Sequence, residues 1–93
     1  MTQLTTSSRL RATNDQVSSE LGKEVVILHV KNGVYYGLDE VGVVIWRKLQ
    51  EGSSVAEIVS GVIEEFDVSP EQCEADVLRI LSEMMAAQLV VLE

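Results

Sequence analysis

The sequence predicts an α+β fold, a three-stranded antiparallel sheet followed by three α-helices. Three observations predict it. β-Branched residues crowd the stretch before residue 40, and an Asn-Gly pair divides them. Two helix-start signatures, Ser54-Val55-Ala56-Glu57 and Ser69-Pro70-Glu71-Gln72, follow in the second half. The apolar spacing changes from alternation to helical recurrence after Asp39 and stays helical almost to the end.

Each element can be justified in turn. Residues 1–15 are rich in Thr, Ser and Asn without sustained periodicity, so they are expected to be a flexible N-terminal segment, with the folded domain spanning 16–92. Gln16 to Glu20 is a weak strand candidate that ends at Leu21-Gly22. Glu24 to Val30 is a strong one, dense in Val and Ile. Asn32-Gly33 predicts a type I′ hairpin turn, which needs positive φ at both central residues. Val34 to Leu38 is the third strand. Asp39 can cap a helix from Glu40 to about Gln50 that stops at Gly52. The first capping box opens a helix whose stripe is Val55, Ile58, Val59, Val62, Ile63 and Phe66. The second, with Pro70 at the first helical position, opens a helix running to about Gln88, and Leu89 to Leu92 returns as a short extended segment.

Composition excludes several functions. The chain has 93 residues, 46% of them hydrophobic, which is one domain with a real core. Its net charge is −8, and the charge is uneven. Residues 1–31 carry four basic and three acidic side chains, whereas residues 32–93 carry three and twelve. Nucleic acid and anionic membrane need a basic footprint, so neither is expected as a partner. One Cys and one His exclude a disulfide scaffold and a structural zinc site, and no cofactor or metal is expected. No apolar run approaches the ~20 residues that span a bilayer, and no signal sequence is visible, so a cytoplasmic protein is expected.

Catalysis needs groups that converge, and the sequence offers none. His29 alternates with Val25 and Ile27 and reads as a surface or half-buried imidazole. Cys73 lies in the first turn of the third helix, but Glu71, Glu74 and Asp76 crowd it with negative charge, so it reads as a small packing residue. The chain is therefore not expected to be an enzyme.

Two features point to binding instead. Val34 to Leu38 closes the sheet on one side and carries no Lys, Pro or inward charge, the usual guards against pairing with another chain. Such an edge suits an extended peptide, unless a helix or the N-terminal segment covers it. The third helix also has apolar surface to spare. Its apolar residues fill an arc of roughly 160°, where burial against a core needs about 100°. Leu78, Leu81 and Met85 fall on one side of the arc. Cys73, Val77, Ile80 and Met84 fall on the other, bordered by Asp76, and are expected to form the ligand's apolar floor. The candidate binding residues are thus Val34, Tyr35, Tyr36, Gly37 and Leu38 on the strand, with Cys73, Asp76, Val77, Ile80 and Met84 on the helix.

Val34-Tyr35-Tyr36-Gly37-Leu38-Asp39-Glu40-Val41-Gly42, followed by Ile45-Trp46, resembles the PqqD-like family, the RiPP recognition elements. Ser54-Val55-Ala56-Glu57-Ile58-Val59 and Asp76-Val77 with Leu81, Met84 and Leu89 resemble that family's second and third helices. The likeness spans about residues 16–92 and is greatest to the lasso-peptide branch. Two departures are mild: Asp39 stands where many members have Asn, and Gln88 replaces a frequent Gly. The resemblance implies a winged-helix-like fold that binds the leader of a ribosomally made precursor peptide. The leader, typically bearing Tyr-x-x-Pro and a further apolar residue, would add a strand to Val34–Leu38 and pack on the third helix. It further implies delivery of the precursor to a leader peptidase of the cysteine-protease type and to an ATP-dependent lasso cyclase. An alternative within the family is delivery to a radical-SAM enzyme. A DNA-binding winged helix is disfavoured because Glu71, Glu74, Asp76 and Glu83 would repel phosphates. An acyl carrier protein is disfavoured because no Ser stands in an Asp-Ser-Leu context.

Overall fold

A computed structural model describes residues 4–14, 16–21, 24–31 and 33–93. Its strands and helices follow the order β1 (Arg9–Ala12), β2 (Gln16–Leu21), β3 (Glu24–His29), β4 (Val34–Leu38), α1 (Glu40–Glu51), β5 (Ser53–Ser54), α2 (Val55–Glu65), α3 (Pro70–Ala86) and β6 (Val90–Leu92). The predicted three-stranded antiparallel sheet is β2-β3-β4, and the three predicted helices follow it. Asn32, half of the expected hairpin turn, lies outside the described residues. Gly33 has φ +68°, the left-handed region the turn requires, and its N–H donates to the His29 carbonyl at 2.8 Å.

Register decides which face of the sheet is buried. Val25, Ile27 and His29 stand opposite Leu38, Tyr36 and Val34. That face joins the core with α1, and Val25 and Ile27 are almost wholly buried. His29 shares the face and is 1% exposed, which corrects the expectation of a surface or half-buried imidazole. The opposite face, with Val17 and Tyr35, is open to solvent. Trp46 and Ile45 lie in the core, buried by the side of α1 that also presents Val43 and Leu49.

Helix starts follow their sequence signals. Asp39 caps α1 by accepting from the Gly42 N–H at 2.9 Å. Ser54 and Glu57 form a reciprocal capping box at α2. The Glu57 carboxylate accepts from the Ser54 backbone and hydroxyl and from Arg9, and these bonds hold it below the usual carboxylate range. Ser69 caps α3 through the Gln72 N–H, but the Gln72 side chain donates to Asp76 at 3.0 Å. Only one half of the second expected box is therefore made among the described bonds.

The expected boundary at residue 15 is not where the structure divides. Within the segment expected to be flexible, β1 lies between β5 and β6 in a second sheet, and Leu10 is fully buried. Arg-Leu-Arg-Ala alternates, but over four residues only, too short a run among Thr, Ser and Asn to read as a strand. Its pairing comes from partners in the α1–α2 turn and at the C-terminus. This placement leaves β4 as a sheet edge.

The end of α3 explains the effect of Gln88. Gln88 has φ +62°, and its N–H donates to Met85 while the Leu89 N–H donates to Met84, at 3.0 and 2.9 Å. This is a Schellman-like ending with Gln at the position that favours Gly. Relief of the left-handed strain outweighs the entropy of a glycine, so Gln88→Gly should stabilise the domain by about 0.5–1 kcal/mol. Urea denaturation should show a higher midpoint at unchanged slope. A lower midpoint would mean that the turn holds Gln88 without strain.

Candidate functional site

The groove lies where the edge of β4 approaches the second half of α3. Tyr35, Tyr36, Gly37 and Leu38 form one wall, and Ile80, Glu83, Met84, Ala87 and Leu89 form the other, around a cavity of about 450 Å³. On β4, Tyr35 is 69% exposed and Tyr36 is half-buried, because successive residues point to opposite faces of the sheet. Gly37 has open space where a side chain would stand, so its backbone can be approached closely. Val34 begins the strand and is exposed, outside the cavity lining.

Six of the ten predicted residues line this cavity: Tyr35, Tyr36, Gly37, Leu38, Ile80 and Met84. On α3 the buried row differs from the expected one. It consists of Cys73, Val77, Leu81 and Met84, at spacings of four, four and three. Cys73 and Val77 are therefore core residues, and unlike Met84 of the same row they lie outside the cavity lining. Val77 is fully buried, and the Cys73 thiol contacts the Val59 carbonyl across the α2–α3 interface at 3.8 Å. Burial, and then the Asp76 carboxylate, push that thiol above its ordinary pKa, which disfavours the thiolate. Leu78 and Met85 are half-buried on the far flank.

The groove receives residues 80, 83 and 87 of the adjacent row, which starts at residue 76. Asp76 begins this row, engaged by Gln72 and outside the lining. Glu83 and Ala87 complete it. The sequence offers neither as a binding residue and reads Glu83 only as one of the α3 carboxylates that would repel phosphate. Leu89, which in the sequence stands only within the family likeness and not among the candidate binding residues, is a further groove residue. The turn at Gln88 folds it back to the groove with its side chain 2% exposed.

An open strand edge offers N–H and C=O groups at fixed spacing, and the apolar wall beside it offers places for alternate side chains. That combination accepts an extended peptide. Among the described residues, no three His, Cys, Asp or Glu side chains are grouped as a metal site would need, and no helix is long and apolar enough to cross a membrane.

The sequence pattern of the family described as "Coenzyme PQQ synthesis protein D (PqqD)" matches residues 24–90. The structure is similar to that of "TbiB1 in Complex with the TbiA(beta) Leader Peptide", with a TM-score of 0.81 and 35% identity over 86% of this chain and 93% of that one. It shares its fold with "Lasso peptide synthetase B1 complexed with the leader peptide", with a TM-score of 0.78 and 18% identity over 88% and 96% of the two chains. No curated protein sequence matches the chain.

Proposed function

The chain belongs to the PqqD family, and from that membership we propose that it binds the leader segment of a lasso-peptide precursor by strand addition at β4. The observation that carries this reading is the open edge of β4 beside the apolar wall of α3. The similarity to a protein whose structure was solved with a leader peptide supports it. In this reading the leader extends β2-β3-β4 to four strands along Val34–Leu38. Its apolar side chains enter the groove against Tyr36, Leu38, Ile80 and Met84. Backbone pairing sets the geometry, and the groove sets the choice of side chain.

The chain supplies recognition alone. Cutting and ring closure fall to a leader peptidase of the cysteine-protease type and an ATP-dependent cyclase, to which the bound precursor is presented.

Titrating a synthetic lasso-precursor leader peptide, with backbone amides followed by NMR, tests the reading. Shifts should cluster in residues 33–38 and 80–89, and the β4 amides should gain protection from exchange. Shifts centred on α2 or on β1 would place the ligand elsewhere and overturn it.

A further inference from the structure

We propose that Glu83 is the charge-selecting residue of the groove and pairs with a Lys or Arg at one fixed position of the bound peptide. The inference rests on the leader-binding reading and adds to it a chemical class for one ligand side chain.

Three observations converge on Glu83. Among the described residues it is the only charged side chain lining the groove, and every other lining residue is apolar, a tyrosine or glycine. It sits near the C-terminal end of α3, where the helix dipole disfavours a carboxylate and where no basic residue occupies the last turn. Its ion-pair partner, Arg79 at 3.3 Å, lies one turn earlier on the same helix, and both side chains are more than half exposed. An exposed pair of this kind is weak. The order is also the poorer one, since the acid stands on the C-terminal side of the base. The fold thus gains little from Glu83 where it stands. A cation arriving with the peptide would meet a carboxylate that is already solvated, held by one weak intrahelical bond, and placed against the dipole.

Asp76 supplies the contrast. It begins the same helix row but accepts from Gln72 at 3.0 Å and lies outside the groove lining. Selection by charge should therefore follow Glu83 and not Asp76. Its size should be modest, about two- to fivefold in affinity near physiological salt and less at high salt, because the pair stays near the surface. Its effect is on register, since a charge preference at one position fixes how the peptide slides along β4.

Random peptides displayed on phage, selected against the wild-type chain and against Glu83→Gln, Glu83→Lys and Asp76→Asn, test this. Side-chain exposure at Glu83 makes its variants safe for the fold, which circular dichroism verifies. Wild-type selections should share apolar anchors, with Lys or Arg enriched at one fixed offset from them. Glu83→Gln should lose that enrichment, Glu83→Lys should replace it with Asp or Glu at the same offset, and Asp76→Asn should keep it. Shared anchors without a charge preference, or a preference that survives Glu83→Lys, would overturn the role of Glu83 while leaving peptide binding intact. Selections without recurring anchors would instead overturn the leader-binding reading, and the Glu83 proposal with it.

Discussion

Val77→Asp should unfold the domain. Val77 is fully buried in the row of α3 that also contains Cys73, Leu81 and Met84. The substitution removes about 1.5–3 kcal/mol of apolar burial. It also puts a carboxyl at a fully buried position of the apolar core, at a cost of about 2–7 kcal/mol even in the neutral form. A chain of this length has roughly 5–14 kcal/mol of total stability, so the loss consumes most of it. The far-UV helical signal should collapse at room temperature. Emission from Trp46, 3% exposed in the native state, should shift to the red. A variant that melts cooperatively near the wild-type temperature would show that this row of α3 is not the core.

Ile80→Asp, three residues further along the same helix, should behave in the opposite way. Ile80 is half-buried and faces the groove, so an aspartate there can turn its carboxylate to water and the domain should stay folded. Peptide binding should fail. Removing the isoleucine side chain forfeits about 1.5–3 kcal/mol of apolar burial under the ligand, and an apolar ligand side chain laid over the new charge must also desolvate it. Together these correspond to a loss of about 100-fold or more in affinity. Calorimetry with the leader, beside circular dichroism of the free variant, measures both halves of the claim. A folded Ile80→Asp that binds the leader within threefold of wild type would mean that the groove is not the binding site.

The contrast between Val77 and Ile80 shows where reading the sequence stops. Local signals place the secondary structure well. Asp39 and Ser54 cap helices because their side chains reach N–H groups only three residues away, and the chain between Glu24 and Leu38 is β-branched enough to pair with itself across a short turn. The lack of guarding residues on β4 is legible for the same reason, within five positions, whereas the edge itself is open because β1 pairs elsewhere. The orientation of α3 about its axis is not. Its apolar arc is wide enough to admit more than one buried row, and the row that wins is the one that meets Val59 and the rest of α2. Packing against a helix that is separate in sequence settles that Cys73 and Val77 go inside. The same packing sends Ile80, Glu83 and Ala87 to the groove.

By itself, then, the sequence determined the α+β order, the helix caps, the unguarded character of the third strand and the family likeness, all of which are carried by short local patterns. Only the tertiary structure decided that Leu10 anchors a strand between the α1–α2 turn and the C-terminus, that β4 stays a sheet edge, that His29 is buried, and which side of α3 lines the groove. Those outcomes depend on partners brought together by folding. An apolar residue is buried by whatever surface arrives opposite it, and no periodicity within its own segment specifies that surface.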